Sequence, residues 1–173
     1  MLFILYGDDS ILNKLLSCVK IYIQLKINNS DKNIKEPSQM QIKVISGRDE
    51  IPLLLPNEKI VHIGFRPSNK DIFGIVEACP KIEAIQVPPS YFVSISKSIQ
   101  IFLRMQKIQL LEGDVGGHRK DLHPYYVVPE YIIEKIKELK EDGTKPDDIV
   151  KYVSRLHRMS EPLAAYVVQS VKI

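Results

Sequence analysis

From Met40 onward the apolar and polar positions change period several times, and each change marks a different element. Residues 41–46 alternate, which predicts a half-buried strand. Residues 60–65 and 82–87 repeat that pattern, and 108–111 form a short apolar run of the same kind. Between these runs the spacing becomes helical. Ile72, Phe73, Ile75 and Val76 predict a helix over 69–78 with these side chains inward. Val93, Ile95, Ile99, Phe102, Leu103 and Met105 predict a longer one after the third strand. Ser68, with Asp71 three residues on, suits a capping box. The segment 63–68 matches 85–90 at an offset of 22 residues, with proline in the turn and serine where a helix is expected to begin. Strands alternating with helices imply an α/β fold: a small parallel sheet built from repeating strand-helix units with right-handed crossovers.

The two strand faces are unequal. Val61, Ile63, Phe65, Ile85 and Val87 make one strongly apolar, and the helices are expected to pack there. Ile60, His62, Gly64, Ile82, Ala84 and Gln86 make the other smaller and more polar. This second face is expected to be thinly covered, by an amino-terminal helix or another subunit, with His62 a core or interface residue.

Past residue 123 the period is helical throughout. Residues 124–129 read as a stiff proline-bounded connector. Ile132, Ile133, Ile136 and Leu139 stripe a first helix that Gly143 ends. Thr144 is a candidate cap for a second, carrying Ile149, Val150, Val153 and Leu156. Ser160 is a candidate cap for a third, with Leu163, Ala164, Val167, Val168 and Val171. Three short helices with a tight break before the last suit a helix-turn-helix. Its third helix is expected to present Ala165, Tyr166, Gln169 and Lys172, with Arg155 and Arg158 reaching phosphates. The acids and bases of this segment cancel, so a helical dimerisation module is the competing reading. Residues 1–39 read as an extension, an amphipathic helix over about 9–26 followed by a polar linker. The organisation is therefore 1–39, an α/β domain over 40–123 and a helical segment over 124–173.

Composition narrows the class without naming a function. A net charge of +3 permits an anionic partner but does not demand one. Lysines interrupt each long apolar window near the start, and no secretory signal is evident, so a cytoplasmic protein without a membrane span is expected. Cys18 and Cys79 fit no metal or redox spacing, and neither a metal nor a cofactor is expected.

The chemistry-bearing residues collect where strands end. Ligands of open α/β sheets bind beyond the carboxyl ends of the strands. That edge is expected to gather Arg66, Ser68 and Asn69, then Ser90 and Tyr91, then Asp114, Gly117, His118, Arg119 and Lys120. Helix starts at Ser68 and Ser90 would offer backbone N–H groups to an anion. His118 with Asp114 or Asp121 would make an acid/base pair if the protein is an enzyme on a phosphorylated or carboxylated metabolite. No nucleophile, phosphate loop or dinucleotide fingerprint accompanies them. The expected partners are accordingly DNA and a small anionic ligand, with a homodimer as the competing role for the helices.

Longer motifs carry a family resemblance. They are residues 56–62, Phe65-Arg66-Pro67-Ser68, residues 84–91 and Leu111-Glu112-Gly113-Asp114-Val115 with Gly117-His118-Arg119-Lys120-Asp121. The chain from about Met40 onward resembles the domain-of-unknown-function family sixteen-ninety-nine of methanogenic archaea. The resemblance implies an archaeal cytoplasmic protein. It brings no activity and no catalytic residue.

Overall fold

Four parallel strands and one antiparallel strand organise the chain. β1 (Gln41–Ile45), β2 (Ile60–Ile63), β3 (Ala84–Val87) and β4 (Gln109–Glu112) lie in the order β4-β3-β2-β1, and β5 (Tyr125–Val127) pairs antiparallel with β1. This computed structural model describes residues 39–115 and 123–172. The helix expected over 9–26, its linker, and Gly117, His118, Arg119 and Lys120 lie outside the described residues.

Every parallel connection steps one strand in the same direction. Right-handed crossovers then place all the connecting helices on one face. That face buries Ile45, Val61, Ile63, Ile85 and Val87 against Ile72, Ile75, Ile99 and Leu103, the inward residues of α1 (Asn69–Ala78) and α3 (Lys97–Met105). Both faces of β2 and β3 are buried, as parallel central strands require.

The cover on the other face differs from expectation. Ile42, Ile60, Ala84 and Leu111 pack against Ile132, Ile136, Ile149, Val153 and Val167 of the carboxyl-terminal helices. The cause is β5, which sequence patterning left as a connector. Its three residues run back along β1, with Val44 N–H donating to Pro124 O at 3.0 Å and Val128 N–H to Met40 O at 2.9 Å. This reversal delivers α4 (Glu130–Glu141), α5 (Pro146–His157) and α6 (Glu161–Ser170) to the uncovered side. Alternation along β5 puts Tyr126 against that core. The neighbouring Tyr125 donates to Glu58 at 2.6 Å. Burial, reinforced by Glu58, pushes the Tyr125 pKa up.

The helix after β3 is broken. Pro88, not Ser90, caps the single turn α2 (Pro89–Phe92), and α3 starts afresh at Ser96, whose Oγ accepts from Ile99 N–H at 3.3 Å. Val93 and Met105, expected inward, are exposed, as is Phe73 on α1. Phe73 instead meets Phe102 edge-on at 4.8 Å. The 22-residue offset also differs from the register of the sheet. His62 stands beside Gln86 and Ile60 beside Ala84. A slip of two residues preserves the faces, which is why the face pattern survives the misalignment.

The carboxyl-terminal helices begin and end on local signals. Gly143 terminates α4 in the left-handed region. Lys145, not Thr144, is the N-cap of α5, with Asp147 and Asp148 in the first turn where the helix dipole favours acids. Leu156, expected in the core, is 59% exposed. Lys140 Nζ donates to Val171 O at 2.6 Å and ties α4 to the end of α6.

Candidate functional site

At the carboxyl edge most of the polar side chains already have protein partners. Ser68 and Asp71 form the expected capping box, with Asp71 N–H donating to Ser68 Oγ at 3.3 Å and Ser68 N–H to Asp71 Oδ2 at 2.7 Å. Arg48 Nε donates to the same carboxylate oxygen at 2.9 Å, and Arg48 Nη2 to Arg66 O at 3.1 Å. Burial works to raise the Asp71 pKa, but the Ser68 and Arg48 hydrogen bonds outweigh it and hold the carboxyl below its ordinary value. A carboxylate so depressed adds stability above its unfolded-state pKa and loses it as pH falls through the folded one. Asp71→Asn is therefore expected to lower stability by about 1 kcal/mol at neutral pH. It should also flatten the acid limb of a urea-stability profile, whereas an acid limb as steep as the wild type would reject this account.

Asn69 Oδ1 accepts from Ser96 Oγ at 3.2 Å, which brings the starts of α1 and α3 together. Arg66, Ser68, Asn69 and Ser90 are exposed and Tyr91 is half-buried, on segments that follow the neighbouring strands β2 and β3. The parallel strands run 4-3-2-1 without reversal. The edge therefore lacks the diverging crossovers that open a ligand crevice in doubly wound sheets. Ser90, inside a single helical turn, does not offer the helix start that its position after two prolines suggested.

Behind this edge two buried polar side chains, His62 and Gln86, lie between the exposed Asp114 and the half-buried Ser160. Asp114 Oδ1 is 3.6 Å from His62 Nε2, His62 Nδ1 is 3.1 Å from Gln86 Oε1, and Gln86 Nε2 donates to Ser160 Oγ at 3.3 Å. His62 is 3% and Gln86 0% exposed, so neither can turn to water. The role of Nδ1 in its bond to Gln86 follows the ring tautomer. Ser160 is the N-cap residue of α6, yet its hydroxyl makes no capping bond. Its position is fixed from the sheet. Gly113 completes the contact, at φ +150, where an added Cβ would collide with Ser160 Oγ. Sequence reading placed His62 and Gln86 on one polar face but missed their pairing. The signal was the presence of two inward polar residues on adjacent strands, hidden by the wrong offset.

On α6, Leu163, Ala164, Tyr166, Val167, Val168 and Val171 are buried. Tyr166 was expected on the outer side, but its hydroxyl donates to Glu83 Oε2 at 2.8 Å. Burial and that bond push its pKa up. The reason is the strand face beneath: α6 must cover both α5 and the sheet, so its buried arc is wider than one stripe. The remaining exposed strip holds Glu161, Pro162, Gln169 and Lys172, with Ala165 half-buried. Arg158, in the turn before α6, takes the left-handed conformation at φ 51. Arg155 stands exposed on α5.

Neither a thiol nucleophile nor a metal cluster is available among the described residues. Burial, then the nearby Glu58 charge, pushes the Cys79 thiol up to about 11, so it is protonated at neutral pH. Among the described residues no group of three or more His, Cys, Asp or Glu could hold a metal ion. No helix among them is long and apolar enough to cross a membrane.

A mostly parallel sheet, helices on one side and a three-helix unit on the other define an α/β protein with a carboxyl-terminal helix-turn-helix. The family comparison agrees at both ends. Residues 41–124 match the N-terminal domain of a family of unknown function, DUF1699, and residues 131–167 match that family's C-terminal HTH domain. The chain belongs to this family. No curated protein and no solved structure matches it.

Proposed function

We propose that the protein is a nucleic-acid-associated regulator whose helix-turn-helix contacts DNA. The observation that carries this reading is the HTH-domain match over α4 to α6, with a three-residue turn between α5 and α6. Arg158 in that turn, Gln169 on the exposed strip of α6 and Lys172 just past its end supply the contacts. Arg158 and Lys172 would meet phosphates and Gln169 a base edge. Arg155, one turn before Arg158, is the remaining candidate from the same surface. On this reading the protein is cytoplasmic, and the buried Tyr166 serves the fold.

The second part of the proposal is an anionic small ligand at the carboxyl edge. Arg66, Ser90 and Tyr91 would bind it together with Gly117, His118, Arg119 and Lys120. What favours regulation is the line of polar contacts that passes through the buried His62 and Gln86. It leaves Asp114, beside the glycine-rich stretch, and ends on Ser160, the first contact of α6 with the sheet. A ligand that moved Asp114 would thereby bear on the DNA-contacting helix.

The test is fluorescence anisotropy with duplex DNA across a salt series. Affinity should fall with salt, and Lys172→Ala should reduce the logarithmic slope by about 1. Arg158→Gly removes a phosphate contact but also relieves a left-handed non-glycine residue. It is expected to weaken DNA binding while stabilising the fold by about 1 kcal/mol. Absence of any salt-dependent retention at low ionic strength would reject the DNA reading.

A further inference from the structure

The outer face of α5 carries an unusual mixture. Asp147 and Asp148 open the helix, Lys151 and Arg155 follow, and all four are exposed. The helix dipole accounts for that charge order, with acids first and bases last. It does not account for Tyr152 and Leu156, which lie between and beyond the bases at 42% and 59% exposure. Asp148, Lys151, Tyr152, Arg155 and Leu156 together line a surface hollow of about 480 Å³. The apolar surface continues onto α4 through Tyr131, 58% exposed, whose ring meets that of His157 at 5.3 Å.

We infer that this face pairs with itself: α5 of one copy lies antiparallel on α5 of a second. A two-fold axis makes residue i meet residue j twice over, so a self-pairing helix must be its own complement. Reversing α5 about its Lys151–Tyr152 midpoint sets Asp148 of each copy opposite Arg155 of the other. It sets the two Tyr152 rings near the axis, each beside Lys151 of the other copy, and each Leu156 opposite Asp147 of the other at the start of its helix. The acid-to-base order along the helix is what an antiparallel pair needs, whereas a parallel pair would oppose like charges. Arg155 is thereby given to the second copy's Asp148 instead of to a phosphate. An interface one helix wide is small, so the dimer is weak and forms at high concentration.

The experiment is sedimentation velocity on the full chain without nucleic acid, over a concentration series from micromolar upward. The mass should rise from monomer toward dimer. Asp148→Arg and Arg155→Asp should each weaken association by about tenfold, since each places like charges together at two symmetric positions. The charge-swapped double variant, Asp148→Arg with Arg155→Asp, should recover most of that loss. Leu156→Asp should abolish association. All three positions are exposed, and a thermal melt of each variant verifies the fold. A constant monomeric mass overturns the inference and leaves the surface to nucleic acid. A dimer indifferent to the single variants, or a double variant no better than the singles, overturns it as well. Because no DNA is present, failure here leaves the DNA reading standing, and failure of DNA binding leaves this pairing standing.

Discussion

Replacing Gly113 with alanine is expected to lower stability by about 3 kcal/mol or more, the largest effect of any single methyl group in the described chain. Two terms add. Gly113 sits at φ +150, a conformation that L side chains rarely adopt. Its new Cβ would also collide with Ser160 Cβ and stand 2.9 Å from Gln86 Nε2. A serine hydroxyl can rotate away, but the Ser160 Cβ is fixed to its backbone, so the turn before α6 must shift bodily. Gly143→Ala separates the two terms. Gly143 has φ +75 but nothing within 4 Å of an added Cβ. Its alanine variant should show backbone strain alone, about 1 kcal/mol. Urea denaturation of both variants checks this, and equal losses would mean that the Gly113 contact with Ser160 carries no energy.

Gln86→Met is expected to cost about 2–4 kcal/mol, although it nearly preserves volume and adds apolar character at a fully buried position. The loss comes from His62 Nδ1 and Ser160 Oγ, which both lose the Gln86 amide. Removing one partner of a buried hydrogen bond costs more than the bond itself was worth. The cycle with Ser160→Ala tests the connection. Groups in one hydrogen-bonded network should couple by about 0.5–3 kcal/mol, so Ser160→Ala should matter less once Gln86 is gone. Additivity within about 0.5 kcal/mol would mean that the sheet and the turn before α6 are energetically separate. That outcome would also remove the support for ligand regulation of the DNA-binding helix.

The sheet was legible because β1, β2 and β3 alternate and lie close in sequence. The capping box at Ser68 and the stop at Gly143 were legible because each depends on a few local residues. Non-local features were not. β5 pairs residues that are far apart in the chain, Gln41 with Val127 and Lys43 with Tyr125, and a three-residue strand has no period to read. The cover of the second sheet face follows from β5, so it was lost with it. Tyr166 looked solvent-facing because a helix wheel finds one apolar stripe, while α6 is buried on two neighbouring sides. For the expected ligand site, only the places of Arg66 and Asn69 after β2 and of Ser90 after β3 followed from topology. The commitment of Ser68, Asn69 and Arg48 to intramolecular bonds did not, since it depends on angstrom-scale placement.

The short antiparallel strand has one more effect, on the behaviour of many copies at once. A sheet ending on β1 would offer an open ladder of amide and carbonyl groups to any extended chain. β5 occupies that ladder, and Pro124 and Pro129 bracket its three residues without N–H groups of their own. The new border is too brief and too poor in donors to recruit another strand, a known defence against fibrous self-association. Lengthening β5 or removing its flanking prolines would trade that protection for a surface prone to intermolecular sheet growth.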